Sequence, residues 1–170
     1  KQKFYGIKSH RCAQMSPAVN FCNHDCVFCW RERNNSEFGV IDNPIEVAEN
    51  IDTAQRALLS GYGGNSNTNM QKFLEAQEIK HVAISLNGES TAYPRIGELI
   101  QELRKRGKST FLVSNGTFPH ILREMILKEQ LPTQLYISIE APNKEANKLI
   151  DRPIYEDTWD RLMETLDILR

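Results

Sequence analysis

Short apolar runs alternate with amphipathic stretches along most of the chain. The runs are typical of buried strands, and the stretches that follow them have the apolar spacing of helices. Because strands that alternate with helices favour a parallel sheet with right-handed crossovers, the pattern predicts an α/β fold with about four βα units. The predicted strands are residues 18–21, 81–86, 109–114 and 134–139, and the predicted helices are residues 45–59, 93–106, 118–128, 144–150 and 155–169.

Proline and glycine mark several element boundaries. Pro44 and Pro119 stand in predicted first helical turns, Gly107 follows a predicted helix as a C-cap, and residues 61–68 have the composition of a flexible loop. A closed barrel of eight βα units usually needs at least about 200 residues, so the length of 170 residues predicts a partial (β/α) barrel with parallel strands. We therefore expect residues 1–170 to be the N-terminal and central part of a barrel domain in a longer protein.

Composition narrows the class of protein. The chain is 40% hydrophobic and 25% charged with a formal net charge of −1, which is typical of a soluble globular domain and gives no global sign of a nucleic-acid or membrane surface. It contains neither a run of about 18 apolar residues nor a charged leader followed by an apolar core. We therefore expect a cytoplasmic location without membrane partners, where thiols stay reduced.

Three cysteines with CxxxCxxC spacing, Cys22, Cys26 and Cys29, are the most informative motif. A 4Fe-4S cluster accepts four thiolate ligands, so a loop that supplies three leaves one iron open to a substrate or cofactor. A fourth cysteine, Cys12, leaves open a four-cysteine zinc site with a structural role. In a reducing compartment, either metal site is favoured over disulfides.

Polar residues follow the other predicted strands. Residues 87–90 read Asn-Gly-Glu-Ser, residues 115–117 read Asn-Gly-Thr, and Ser138 and Glu140 lie at the end of the fourth strand. Active-site groups of parallel βα folds collect at the carboxyl ends of the strands. We therefore expect these residues to share one rim with the cysteine loop.

The cysteine motif, with Phe28 directly before its third cysteine, resembles the radical S-adenosylmethionine (SAM) superfamily. The resemblance implies that Cys22, Cys26 and Cys29 bind a 4Fe-4S cluster whose open iron holds S-adenosyl-L-methionine. An electron from an external donor then cleaves that cofactor to methionine and a 5′-deoxyadenosyl radical. Phe28 is expected beside the adenine.

The resemblance also assigns the strand-end residues. Gly88 and Glu89 fit the glycine-glutamate motif that meets the methionine ammonium, a sensible charge-assisted pairing, although Asn87 replaces a glycine of the fuller motif. The expected ribose contacts are Ser114, Asn115, Ser138 and Glu140.

A narrower resemblance is carried by several segments together. The chain is similar to archaeal tRNA 4-demethylwyosine synthases, which implies tRNA processing in wybutosine biosynthesis. These enzymes condense pyruvate with N1-methylguanosine at position 37 of tRNA(Phe), after the adenosyl radical abstracts hydrogen from the N-methyl group. The segments are Phe-Tyr-Gly-Ile at 4–7, Ser-His-Arg-Cys at 9–12, Cys-Trp-Arg at 29–31, Ser-Leu-Asn-Gly-Glu at 85–89, Gln-Leu-Tyr at 134–136 and Asp-Arg-Pro at 151–153.

That narrower resemblance adds a second metal centre. It implies that Cys12 is the third ligand of a second 4Fe-4S cluster whose other two cysteines lie outside this chain. It also implies a lysine that forms a Schiff base with pyruvate, which spacing from Cys12 places at Lys1, with Lys3 close by. Such a lysine needs a lowered pKa to be nucleophilic at neutral pH.

Simpler interpretations stand beside these. His10 and His24 are expected to be polar surface residues rather than metal ligands, and Glu89 and Glu140 are alternatively ordinary loop carboxylates. The basic residues Arg104, Lys105, Arg106 and Lys108 are expected to form a solvated helix end on the rim opposite the site. Arg31 and Arg33, next to the cysteine loop, are better placed to meet substrate phosphate or carboxylate.

Three functional hypotheses remain open from the sequence. The leading one is the tRNA-modifying radical SAM enzyme, expected to be a monomer. The second is a radical SAM enzyme with another substrate, and the third is a zinc-stabilised nucleic-acid-binding module. Residues 1–170 alone are expected to cleave S-adenosyl-L-methionine poorly and to make no modified base.

Overall fold

A computed structural model describes residues 1–19, 21–31 and 40–170, and it contains one open sheet of parallel strands in the order β1-β2-β3-β4. None of the helices in this part of the chain is long and apolar enough to cross a membrane. The strands are β1 Cys12–Met15, β2 His81–Ile84, β3 Ser109–Ser114 and β4 Gln134–Ile137, and the α-helices are α1 Gln2–Tyr5, α2 Pro44–Leu58, α3 Met70–Ala76, α4 Ile96–Lys105, α5 Pro119–Leu127, α6 Lys144–Ile150 and α7 Thr158–Ile168.

The α/β fold with four parallel strands is confirmed, but the predicted position of the first strand is wrong. The strand is β1 and not residues 18–21, because the backbone turns there: the Phe21 amide donates to the Ala18 carbonyl at 3.2 Å. The apolar content of that run serves a turn beside the site rather than a strand. The helix α3, which directly follows the predicted loop at 61–68, was not predicted from the sequence.

Helices cover one face of the sheet and enclose the main core. Val82, Ile84 and Leu112 on the strands are fully buried, as are Leu99 and Leu103 on α4. Val82 and Ile84 share one face of the sheet because successive side chains along a strand point to opposite faces. The helix-covered face therefore supplies the rigid platform from which the strand-end loops project.

The helix α4 ends as predicted at Gly107, which has a φ of +70°. The Gly107 amide donates to the Arg104 carbonyl at 2.9 Å and the Lys108 amide to the Leu103 carbonyl at 3.0 Å, which is a Schellman motif. Lys108 then turns inward, and its ammonium donates to Asp52 at 2.8 Å.

The basic cluster at this helix end is largely used within the chain. The prediction of a solvated end is wrong for Lys108, which is buried because it pairs with Asp52 and the Ile79 carbonyl. Arg104 donates to two backbone carbonyls, while Lys105 and Arg106 pair with glutamates. These contacts leave little unpaired positive charge at this rim.

An aromatic group lies on the other face of the sheet. The Tyr5 ring, at the end of α1, meets Phe111 of β3 edge-on at a centroid distance of 5.5 Å, and Phe111 stacks on Tyr136 of β4 at 6.3 Å. The Tyr136 hydroxyl donates to the Tyr5 hydroxyl. Through these contacts the N-terminal helix is placed against the sheet.

Candidate functional site

One cleft of about 220 Å³ at the carboxyl edge of the sheet gathers the predicted cofactor residues. Loops that follow β1, β2, β3 and β4 all contribute to it, as the expected convergence at one rim requires. The predicted residues that line it are Cys22, Cys26, Phe28, Cys29, Gly88, Glu89, Ser114, Asn115, Ser138 and Glu140.

The segment between α6 and α7 holds the cysteine loop from one side. The Val27 amide donates to the Ile150 carbonyl and the Asp25 amide to the Asp151 carbonyl, both at 2.9 Å. In the other direction, the Ile154 amide donates to the Asn23 carbonyl at 2.9 Å. These bonds pair two segments more than a hundred residues apart in sequence and fix the loop that carries the thiols.

The three sulfurs of the cysteine loop do not all lie as close to one another as ligands of a single zinc ion would. All four cysteines carry free thiols. Zinc with sulfur ligands at about 2.3 Å would bring the sulfurs within about 4 Å of one another. In the part of the chain that the structure describes, the one group of potential ligands within 4.8 Å of one another is His24, Cys26 and Asp151, not the three cysteines. A cluster whose irons each take one thiolate suits the wider spacing.

The Cys26 thiol is held in its protonated form in the absence of a cation. Burial raises the pKa of this thiol to about 12, with further contributions from the carboxylate of Asp151 and from the Cys22 and Cys29 thiols. A bound metal lowers a thiol's pKa enough to deprotonate it outright. We therefore expect the Cys26 sulfur to become a thiolate ligand only when a metal ion is bound.

Gly88 permits a close approach between two backbone segments in the cleft. Its φ is +69°, and an added Cβ would lie 1.9 Å from the Ala18 carbonyl oxygen and 2.5 Å from the Phe21 carbonyl oxygen. The neighbouring Glu89 amide donates to that Phe21 carbonyl at 2.7 Å. Because only glycine fits here, the loop after β2 can bond directly to the start of the cysteine loop.

Glu89 is buried and its carboxylate accepts four hydrogen bonds. Oε1 accepts from the Thr91 amide at 2.9 Å, from the Thr91 hydroxyl at 2.5 Å and from the Ser114 hydroxyl at 2.7 Å. Oε2 accepts from the Asn115 amide at 2.7 Å. This carboxylate joins the ends of β2 and β3 and is more than an ordinary loop carboxylate. Its predicted contact with an ammonium stays a prediction.

A buried amide network joins the cysteine loop to the end of β3. Asn23 is fully buried; its Nδ2 donates to the Thr117 hydroxyl at 2.7 Å, and its Oδ1 accepts from Asn115 Nδ2 at 2.8 Å. The Asn115 Oδ1 in turn accepts from the Thr117 hydroxyl at 2.7 Å. The Asn115 side chain is thus engaged in holding the loop, and so is the Ser114 hydroxyl in holding Glu89. Ser138 and Glu140 are the predicted ribose contacts outside this network.

The remaining lining residues are more open. Phe28 is exposed and lines the cleft, and its predicted place beside an adenine stays a prediction. Leu86 has a φ of +104°, which is strained for a branched residue. Such strain is concentrated at functional sites because the surrounding structure must enforce it.

Arg31 brings positive charge to the cleft and contacts an exposed tryptophan. Its Cζ lies 3.5 Å from the centroid of the Trp30 ring, and Trp30 is 78% exposed. The Arg31 Nε is buried and has no hydrogen-bond partner among the described residues. Arg31 is the one lysine or arginine among the described residues that line the cleft. Arg33, the other predicted contact, lies outside the described residues.

Lys1 and Cys12 lie together but do not line this cleft. The Lys1 ammonium donates to the Cys12 sulfur at 3.1 Å and lies 5.4 Å from the centroid of the Phe111 ring. Cys12 begins β1, so it is at the amino end of the sheet while Cys22, Cys26 and Cys29 follow the carboxyl end. The structure thus separates the fourth cysteine from the other three, and the role of Cys12 as a ligand of a second cluster stays a prediction.

Sequence reasoning missed three residues that shape the site. His24 is 5% exposed rather than on the surface, and Asn23 and Asp151 were given no role. Asp151 opens the quoted Asp-Arg-Pro segment, which was the available signal. Their roles depend on pairing across the α6–α7 connection, which no local pattern reveals. His10 lies away from this site, where its Nε2 is 2.6 Å from the Oε2 of Glu75.

Comparison with known proteins gives a consistent picture. Residues 16–170 match the family model of the radical SAM superfamily. The S-adenosyl-L-methionine-dependent tRNA 4-demethylwyosine synthase of Pyrococcus abyssi is 48% identical over 174 residues, which cover 100% of this chain and 51% of that protein. A solved structure of TYW1 with a lysine-pyruvate adduct bound is 41% identical, with a TM-score of 0.87, and that of archaeal TYW1 is 36% identical, with a TM-score of 0.80. Each alignment covers 99% of this chain and 54% or 55% of the other. The chain thus spans about half the length of these proteins.

Proposed function

Because the chain belongs to the radical SAM superfamily, we propose that it is part of a tRNA 4-demethylwyosine synthase, a lyase-type enzyme that condenses pyruvate with N1-methylguanosine at position 37 of tRNA(Phe). The observation on which this proposal mainly rests is that three free thiols and the strand-end residues line one cleft. Relatives that bear this name are 47–48% identical across the whole chain, which supports the choice of substrate. The enzyme is proposed to be cytoplasmic and monomeric and to use an external electron donor.

In this proposal Cys22, Cys26 and Cys29 hold the 4Fe-4S cluster. When bound, the cluster and S-adenosyl-L-methionine supply a one-electron cleavage that produces methionine and an adenosyl radical. The chain's own contribution is to orient the cofactor: Phe28 flanks the adenine, the loop at Gly88 and Glu89 receives the methionine end, and the ends of β3 and β4 receive the ribose. The hydrogen bonds that already connect these loops preorganise them before any ligand arrives.

The amino end of the sheet is proposed to bind pyruvate. Lys1 is the proposed Schiff-base lysine, and Cys12, 3.1 Å from it, is the proposed ligand of a second 4Fe-4S cluster whose other ligands lie outside this chain. A related structure contains a lysine-pyruvate adduct, which supports a lysine in this role. Lys3 is the alternative. The variants Lys1→Arg and Lys3→Arg are each treated with pyruvate and borohydride, and the variant that lacks the Schiff-base lysine should not gain the mass of the reduced adduct.

The tRNA is proposed to contact the cleft through Trp30 and Arg31. An exposed indole with a guanidinium against it offers a stacking surface for a base and a positive charge for phosphate. We expect Trp30→Ala to weaken binding of an anticodon stem-loop RNA about tenfold, which corresponds to a typical stacking contribution of about 1–3 kcal/mol. Trp159→Ala is the matched control, because this tryptophan on α7 is not among the residues that line the cleft. Equal binding by both variants would remove this contact.

The decisive assay is nucleoside mass spectrometry. The longer protein that contains this chain, with two clusters, is incubated anaerobically with tRNA bearing N1-methylguanosine, pyruvate, S-adenosyl-L-methionine and reductant. Formation of 4-demethylwyosine is the expected result, and no tricyclic product would refute the substrate assignment. We expect residues 1–170 alone to form no such product.

Metal analysis separates the classes of function. Anaerobically prepared chain is expected to contain about four irons and four sulfides in the Cys22 site, a stoichiometry set by the cluster type. Cys26→Ala should lose them, whereas Cys12→Ala should retain them. Stoichiometric zinc without iron would refute the enzyme and favour the zinc-stabilised module. Iron with S-adenosyl-L-methionine cleavage but no base would favour another radical SAM substrate.

A further inference from the structure

Asp151 is a buried carboxylate beside the cysteine loop whose charge is only partly compensated. It is 3% exposed, and its Oδ2 accepts a hydrogen bond from Asn147 Nδ2. Its Oδ1 is buried and has no hydrogen-bond partner among the described residues. A buried carboxylate oxygen without a donor is unfavourable, so its presence calls for an explanation beyond packing.

The carboxylate contacts a proposed cluster ligand. Ligand atoms of Cys26, Asp151 and His24 all lie within 4.8 Å of one another. A cysteine that ligates iron has lost its proton, so the carboxylate would then face a sulfur anion without a proton between them. The chain nevertheless keeps Asp151 there through the backbone bond from Asp25 at 2.9 Å.

We propose that the negative charge of Asp151 lowers the reduction potential of the cluster held by Cys22, Cys26 and Cys29. The inference rests on the proposed cluster. Reduction adds one negative charge to the cluster, and a fixed carboxylate nearby raises the energy of the reduced form more than that of the oxidised form. Burial keeps solvent ions from screening this interaction.

The consequence for the reaction is a stronger electron donor. One electron enters from the external donor and leaves to S-adenosyl-L-methionine, whose carbon–sulfur bond breaks as that electron is taken up. Asp151 forms no bond in this sequence and takes up no proton. It changes only the free energy at which the electron is held, so a lower potential drives the cleavage at the expense of easy reduction.

The test is a redox titration of Asp151→Asn, followed by electron paramagnetic resonance of the reduced cluster. Asparagine keeps the shape and can still accept from Asn147, but it removes the charge. We expect unchanged iron and sulfide content and a midpoint that is more positive, with the ratio of reduced to oxidised cluster at least about tenfold higher at the wild-type midpoint, or about 59 mV for one electron. Cleavage of S-adenosyl-L-methionine should nevertheless be slower. Easier reduction with slower cleavage is not a pattern that structural damage produces.

Asp157→Asn is the matched control, because this exposed aspartate lies on the same connection between α6 and α7 and pairs with Arg161 at 2.9 Å. It should keep the wild-type midpoint. An unchanged midpoint in Asp151→Asn with full iron content would overturn the inference and leave the proposed function intact. If Asp151→Asn failed to retain iron, Asn147→Ala would decide: without its amide donor the carboxylate is less compensated, so the midpoint should become more negative, and no change would overturn the inference. A wild-type chain without iron would instead refute the proposed function itself.

Discussion

The cysteine loop and the N-terminal segment each present proposed metal ligands, but they are held in different ways. The cysteine loop is bound by buried hydrogen bonds from both sides, including those of Asn23 and of the Glu89 amide. The N-terminal segment, residues 1–11, is attached by ion pairs such as Lys8 with Glu75 and by the contact of Tyr5 with Phe111. Buried hydrogen bonds persist in salt, whereas exposed ion pairs contribute little and are screened.

The difference indicates a division of labour. The cleft that would bind S-adenosyl-L-methionine is preorganised within this chain, because the loops after β1, β2 and β3 are bonded to one another. The region that would bind pyruvate depends on residues 1–11, which are held mainly by ion pairs and an aromatic contact. We therefore expect substitutions in the cleft to reduce global stability and substitutions at the N-terminal segment to act locally.

The largest effect is expected from Gly88→Ala. The new Cβ would overlap the Ala18 and Phe21 carbonyl oxygens, which belong to backbone and cannot rotate away. Gly107→Ala is the matched control, because its φ of +70° nearly equals the +69° of Gly88 but nothing lies within 4 Å of its Cβ position. The control should cost about 1–2 kcal/mol for the left-handed backbone. Gly88→Ala should cost about 1–3 kcal/mol more and lose iron, as measured by denaturant unfolding and metal analysis. Equal losses of unfolding free energy in the two variants would show that the backbone at Ala18 and Phe21 moves aside at little cost.

The sequence predicted which residues line this cleft better than it predicted the contacts that hold them there. CxxxCxxC spacing and the strand-end positions of Glu89 and Asn115 identified residues that do line one cleft, because parallel strands deliver their carboxyl ends to one edge. The bounds of β3 and α6 were also predicted correctly. What escaped prediction depends on distant pairing.

Two misses show the physical reason. The strand β1 is four residues long and has only Ala13 buried, so its pattern is weaker than that of the apolar turn after it. Asp151 looks like an ordinary surface aspartate until residues 150–154 pair with residues 23–27. No single-sequence pattern reports a contact across such a separation.

A smaller but still global effect is expected from Glu89→Gln. The glutamine amide nitrogen is a donor, so it cannot replace a carboxylate oxygen that accepts from Ser114 and Thr91 or from Asn115. Leaving buried donors unpaired should reduce the free energy of unfolding by about 2–4 kcal/mol. The control is Glu98→Gln, whose exposed pair with Arg95 should contribute less than about 1 kcal/mol. Equal losses of unfolding free energy in the two variants would contradict the role of Glu89 in joining the ends of β2 and β3.

The smallest effect is expected at the N-terminal segment and only in acid. Hydrogen bonds from Lys8 and then His10 lower the pKa of Glu75 from 4.5 to about 2. Because the folded-state pKa is depressed, the pairing contributes stability above pH 4.5 and loses it progressively as the pH falls towards 2. The Arg11 amide donates to the Lys8 carbonyl and the Lys80 amide donates to the Arg11 carbonyl. The protection factors of these two amides, which are corrected for the intrinsic pH dependence of hydrogen exchange, should fall in that window, and 1 M salt should lower them at neutral pH as well. Glu75→Gln should show the lower protection factors at every pH. If it kept the same pH dependence, another carboxylate would be responsible, and the segment would be held by its aromatic contacts instead.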